Sequence, residues 1–115
     1  PKVKTNRIVS VGWSFGANWA LEALKKFKLS ASVFYSGGLK AAESSQRILG
    51  HFGDKDTLHS LSKVKALQKK WSLEGSRNEI LIYPGAQHAF YNRESPQYHV
   101  QAAEKAWKHT LKFLQ

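Results

Sequence analysis

Hydrophobic positions along the chain follow two alternating patterns. Four short runs rich in β-branched and aromatic residues, RIVSVGW (7–13), ASVFYSG (31–37), RILGHFG (47–53) and NEILIYPG (78–85), predict buried strands. Between and after them, apolar residues recur at helical spacing. Residues 15–27 predict a helix with Phe15, Trp19, Ala23, Leu24 and Phe27 on one face. Residues 60–74 predict a second, with Val64, Leu67 and Trp71 inward and Gly75 as its stop. Ser95-Pro96 marks the start of the last, serine as cap and proline at the first helical position, with Ala103, Trp107, Thr110, Leu111 and Leu114 as its inner stripe. Strands alternating with helices indicate an α/β fold with a parallel sheet. The second-to-third connection is the exception. Residues 38–46 are short for a parallel crossover, leaving room for at most a helical turn around Leu39 to Ser44.

Composition narrows the class. The 115 residues make one domain, 1–115, and 42% hydrophobic with 12% aromatic residues argues against disorder. No run of about 18 apolar residues is present, so no membrane span is expected. The opening PKVKTNRIV lacks the apolar stretch of a secretory signal, which places the protein in the cytoplasm. Pro1 is a residue that follows a removed initiator methionine, although a cut fragment would begin the same way. Cysteine is absent, which excludes disulfides and thiolate metal sites. The net charge of +10 invites a nucleic-acid reading. The lysines, however, cluster on predicted helices (Lys25, Lys26, Lys28; Lys63, Lys65, Lys69, Lys70; Lys105, Lys108, Lys112), where they solvate outer faces and helix ends. With no aromatic–basic recognition motif, nucleic acid is not the expected partner.

Chemistry concentrates in GWSFG. Gly12-Trp13-Ser14-Phe15-Gly16 lies between a buried strand and an amphipathic helix, the context in which Gly-x-Ser-x-Gly forms a nucleophile elbow. There Gly12 and Gly16 let strand and helix approach, Ser14 projects above the sheet, and the Phe15 N–H faces a developing oxyanion. A serine nucleophile needs a base and an orienting acid. FGDKD follows the third strand and PGAQHAF the fourth, so Ser14, an aspartate and His88 all fall at strand C-termini, in the Ser…Asp…His order of α/β-hydrolases. Spacing alone does not choose between Asp54 and Asp56. Among the other histidines, His51 within a strand reads as packing. His59, before a helix, and His99 and His109, within the last one, read as surface residues. No paired His or Cys/His spacing suggests a metal, and no cofactor is expected.

Together, GWSFG, FGDKD and IYPGAQHAFYN before AAEKAWKHTLKFL resemble the dienelactone hydrolase family. The resemblance covers the chain but only the C-terminal half of the family's usual domain. It implies a truncated, minimal α/β-hydrolase of about four parallel strands with flanking helices. It implies Ser14 as nucleophile, where the founding enzymes carry cysteine, with Asp56 as the acid and His88 as the base. The expected activity is hydrolysis of small carboxylic esters through an acyl-enzyme. Trp13, Phe15, Tyr91 and Asn92 are candidates for the substrate pocket. Asn92 stands where dienelactone-cleaving members hold a carboxylate-binding arginine, with Arg93 as the neighbouring substitute.

The missing half carries the loop that gives the second oxyanion N–H, and its absence makes residues 7–13 a sheet edge. The expected partner is therefore a second copy, a homodimer through that edge. The second oxyanion donor would be a backbone N–H of the partner copy, or a side chain such as Asn18 or Tyr35. The alternatives are a catalytically impaired half-domain or binding module needing another chain, and a basic polyanion-binding protein.

Overall fold

The structure, a computed structural model, describes residues 7–42 and 47–115. Four strands, β1 (Val9–Trp13), β2 (Ala31–Tyr35), β3 (Ile48–Gly53) and β4 (Glu79–Tyr83), form one sheet in the order β1-β2-β3-β4. All three pairings are parallel, with Val11 beside Val33, Val33 beside Leu49, and His51 beside Leu81. The helices are α1 (Phe15–Phe27), α2 (Leu39–Ala42), α3 (Leu61–Leu73) and α4 (Val100–Phe113). The short second crossover is met as expected by one turn, α2; Ser44 lies outside the described residues.

Alternate residues of the strands build two cores. Phe34, Ile48, Phe52 and Ile80 face α1 and α3, meeting Ala17, Leu21, Leu24, Val64, Leu67 and Trp71. Val33, Tyr35, Leu49 and Tyr83 face the other side, against Phe90 and the α4 residues Ala102 and Ala106. Burial from both sides explains why β3 is buried throughout and reads as a continuous apolar run.

Two helices turn differently from their predicted faces. In α1 the buried residues are Ala17, Ala20, Leu21 and Leu24, while Phe15, Trp19 and Phe27 are 87%, 76% and 66% exposed. Close approach decides this. A Cβ on Gly12 would stand 2.2 Å from the Gly16 carbonyl oxygen and 2.8 Å from Ala17 Cα, so the helix lies almost on the strand. Gly16 and Ala17 lie at that contact, Ala20, Leu21 and Leu24 extend the buried face beyond it, and the bulkier aromatic stripe faces outward. The last helix starts at Val100, not at Pro96. Its cap is His99, outside the helix, whose Nδ1 accepts the Ala102 N–H at 3.2 Å. Ser95 instead closes a turn by accepting the Gln97 N–H at 3.1 Å. The buried stripe of α4 is Ala102, Ala106 and Thr110, leaving Trp107 and Leu111 about half exposed.

Packing of α4 includes a buried polar chain. Tyr35 Oη and Thr110 Oγ1 are 2.7 Å apart, Thr110 Oγ1 and His51 Nε2 2.9 Å, and His51 Nδ1 and Tyr83 Oη 2.9 Å. This chain ties the helix to β2, β3 and β4. Burial, reinforced by His109, holds the His51 imidazole neutral, its pKa pushed down to about 3 from 6.5. Unfolded chains take up that proton as pH falls below about 6.5, whereas the folded protein does not until about 3. His51 therefore subtracts stability progressively across that window, by up to about 1.4 kcal/mol per pH unit. Urea unfolding at pH 7 and pH 5 should show the loss, with a shallower pH slope in His51→Gln. Equal slopes would contradict this assignment.

Candidate active site

The β1–α1 junction forces Ser14 into an unusual backbone conformation, φ 53° and ψ −116°. Such a conformation is costly for a residue with a side chain and persists only where its surroundings enforce it. Here the Ser14 N–H donates to the Tyr35 carbonyl at 2.8 Å, and a Cβ on Gly37 would stand 2.2 Å from the Ser14 carbonyl oxygen. Gly12 gives the close approach expected of it. At Gly16 an added Cβ would meet nothing within 4 Å, because this residue contributes its backbone to the contact rather than a missing side chain. Phe15 opens α1, so its N–H is among the helix N-terminal groups without an intrahelical acceptor.

Asp56 lies in the turn after β3, its side chain 1% exposed. Its Oδ1 accepts the N–H groups of Leu58 at 2.8 Å and His59 at 3.2 Å, and its Oδ2 is 2.9 Å from His88 Nδ1. Asp54 has a separate task, accepting the Gly85 N–H at 2.8 Å and so joining the loops after β3 and β4. His88 Nε2 is 3.1 Å from Ser14 Oγ. With the Asp56 carboxylate ionised, the proton resides on Nδ1 and leaves Nε2 to accept from the serine. Ser14, Asp56 and His88 thus meet in one hydrogen-bonded chain across the C-terminal ends of β1, β3 and β4.

Sequence reasoning missed Ser36 and misplaced His59. Ser36, also at positive φ (54°), donates its hydroxyl to the His88 carbonyl at 2.7 Å and steadies the loop that carries His88. His59 was expected at the surface. The Asp56 turn folds it back, and its ring stacks on His88 at 5.7 Å between centroids. Neither contact has a local sequence signal, since each depends on distant strands meeting.

Trp13 and Tyr91 line one pocket of about 290 Å³ with Tyr35, Arg93, Tyr98 and Trp107. Trp13 stacks on Tyr35 at 5.6 Å, and Tyr91 meets Tyr35 edge-on at 5.5 Å. Burial first, then the nearby Asp56 charge, raises the Tyr91 pKa and keeps its hydroxyl protonated. Asn92 is not among the lining residues: it is exposed and accepts the Glu94 N–H within its own turn, while Arg93 faces the pocket. Phe15, as noted, presents its ring to solvent, and its N–H stands at the N-terminus of α1. The Tyr35 hydroxyl lies on the α4 side of the sheet, 2.7 Å from Thr110 Oγ1. Asn18 lines a larger cleft of about 920 Å³ on the opposite flank, with Lys40, Leu58, His59 and Lys63.

A serine at positive φ in a strand–helix turn, hydrogen-bonded to a histidine that an aspartate orients, is shared by many hydrolases of this fold. Sequence comparison supplies the family. The profile of the dienelactone hydrolase family matches residues 1–115. The chain belongs to the dienelactone hydrolase family.

A Bradyrhizobium protein named "Probable 2-oxo-3-(5-oxofuran-2-ylidene)propanoate lactonase" is 28% identical over 127 residues, covering 97% of this chain and 51% of its own length. A Saccharolobus solfataricus protein, provisionally named a carboxymethylenebutenolidase, is 32% identical over 118 residues, covering 94% and 44%. A Klebsiella pneumoniae crystal structure, provisionally described as a dienelactone hydrolase, superposes with a TM-score of 0.80 at 23% identity, covering 96% of this chain and 52% of that one. At that identity the structure speaks for the fold alone. The chain spans about half the length of the curated relatives it matches. Family membership makes a hydrolase the general expectation. Among the described residues, no helix is long and apolar enough to cross a membrane.

Proposed function

We propose that the chain is a serine hydrolase of small carboxylic esters, acting through an acyl-enzyme. The observation that carries this reading is the continuous chain Ser14 Oγ–His88 Nε2 at 3.1 Å and His88 Nδ1–Asp56 Oδ2 at 2.9 Å. In the first step His88 takes the Ser14 proton as the oxygen attacks the ester carbonyl, and Asp56 stabilises the imidazolium. The Phe15 N–H supports the oxyanion. His88 returns the proton to the departing alcohol, then activates water to release the acid. Trp13 and Tyr91 offer the acyl group an aromatic pocket, with Arg93 at its wall. These steps draw on side chains and backbone alone. Turnover of p-nitrophenyl acyl esters of graded length tests the proposal: hydrolysis that optimises at a short acyl chain is expected, and none at any length would contradict it.

A second copy is the proposed cover for the β1 edge. That edge carries Ile8 and Trp13, 42% and 43% exposed, beside the outward stripe Phe15, Trp19 and Phe27 of α1. An apolar strand edge flanked by aromatic rings is an association surface. Two β1 strands related by a two-fold axis can pair antiparallel, bringing each protomer's site beside a neighbour able to donate a further N–H to the oxyanion. Light scattering should give twice the chain mass of 13.0 kDa. A monomeric mass would instead favour a half-domain that needs a different chain to complete its oxyanion hole.

A further inference from the structure

Three ligand-bearing side chains meet beside the nucleophile. The Asp56 carboxylate and the imidazoles of His59 and His88 each bring one ligand atom to within 4.8 Å of the others. Ester hydrolysis uses Asp56 and His88 and leaves His59 without a task. The Asp56 turn delivers it: Oδ1 accepts the Leu58 and His59 N–H groups and folds the segment after β3 back over the site. Its ring then lies 26° from parallel to that of His88, with the Phe52 ring against it edge-on at 5.7 Å.

We propose that Asp56, His59 and His88 form a binding site for a divalent transition-metal ion, Zn²⁺ foremost, whose occupancy switches the Ser14–His88–Asp56 chain off. Two neutral imidazoles and one carboxylate are a donor set suited to Zn²⁺. Bond lengths of about 2.0–2.1 Å place tetrahedral donors about 3.3 Å apart, so the cluster must contract by about 1–1.5 Å at its widest. Rotation of His59, which is only partly buried, supplies that movement. Leu58, His59 and Ser60 line the 920 Å³ cleft, which gives the ion a path inward and leaves a fourth position open to water. The nearly sealed Asp56 carboxylate supplies the negative charge.

Coordination disables the base by either nitrogen. An ion on His88 Nε2 occupies the lone pair that accepts the Ser14 proton. An ion on Nδ1 displaces that proton to Nε2, which then donates toward Ser14 instead of accepting. No covalent bond to carbon forms or breaks, and the ring stays neutral in both cases. The ion competes with the Asp56–His88 hydrogen bond, so binding is reversible and regulatory rather than structural. The inhibition, but not the binding, rests on the hydrolase reading above.

The test is calorimetric titration of ZnCl₂ into the whole chain, wild type and His59→Gln, alongside ester turnover. One ion per chain is expected, with affinity at least about tenfold weaker in His59→Gln. Turnover should fall with the same midpoint and recover on adding a chelator. Absence of saturable binding, or equal affinity in His59→Gln, would overturn the site. Should that variant not fold, Co²⁺ on the wild type decides: the ring signals of His59 and His88 broaden before those of His99 and His109, and the reverse order refutes the proposal. If no ester is turned over, these binding arms still stand or fall on their own, and only the hydrolase reading has failed.

Discussion

Ser14→Ala and His88→Ala each remove most of the ester turnover, by about 10³–10⁴-fold, and the double variant is scarcely worse than either. In a complete serine hydrolase, losing the nucleophile or base costs about 10⁶-fold. The smaller span is the one expected of a protomer acting by itself with the proposed Phe15 N–H as oxyanion donor, since going without a second donor costs about 10²–10³ in wild-type turnover. A donor from a partner copy would widen the span toward the full value. Non-additivity follows because Ser14 and His88 act in one proton transfer across 3.1 Å. Asp56→Asn distinguishes orientation from charge. An asparagine keeps the Oδ1 acceptor for the Leu58 and His59 N–H groups and hence the turn. Its amide nitrogen, facing His88 Nδ1, favours the tautomer with the proton on Nε2. A loss comparable to His88→Ala, in a protein of unchanged thermal midpoint, is the expected result. Steady-state kinetics on the three single variants and the double would check it, and multiplicative losses would contradict the shared proton path.

Gly12→Ala destabilises the fold by about 3 kcal/mol or more, whereas Gly16→Ala is neutral or stabilising by up to about 1 kcal/mol. The two glycines of one pentapeptide thus behave oppositely. A Cβ at Gly12 meets Gly16 oxygen at 2.2 Å, Gly16 carbon at 2.6 Å and Ala17 Cα at 2.8 Å. All are backbone atoms of α1, so no side-chain rotation relieves the clash, and the helix must lift from the sheet. That movement would also disturb the conformation of Ser14. A Cβ at Gly16 meets open space, and alanine favours the helix it joins. Urea denaturation of both variants gives the comparison directly. Equal effects would mean that α1 does not rest on β1 as described.

The same contact explains which features the sequence made legible. Strands were readable because each is a bounded apolar run, and Ser14, an aspartate of FGDKD and His88 stood out because each follows the end of one. The face of α1 was not, since periodicity favours the aromatic stripe and cannot register that Gly12 and Gly37 draw the helix close enough to admit only Ala17, Ala20, Leu21 and Leu24. The start of α4 was obscured by Ser95-Pro96, whose capping chemistry closes a turn while His99 caps the helix. Choosing Asp56 over Asp54 needed the family motif; the structure shows the physical division, one aspartate meeting His88 and the other Gly85. The Tyr35–Thr110–His51–Tyr83 chain, Ser36 beneath His88 and His59 against its ring were illegible for a common reason. Each joins residues brought together only by the order of the sheet.

One measurement tests the hydrolytic reading most directly: intact mass after exposure to a serine-reactive fluorophosphonate, with Ser14→Ala and His88→Ala alongside. One adduct per wild-type chain is expected, and none in either variant. A folded wild-type protein that acquires no adduct would contradict the hydrolytic reading, because a Ser14 activated by His88 and Asp56 should react.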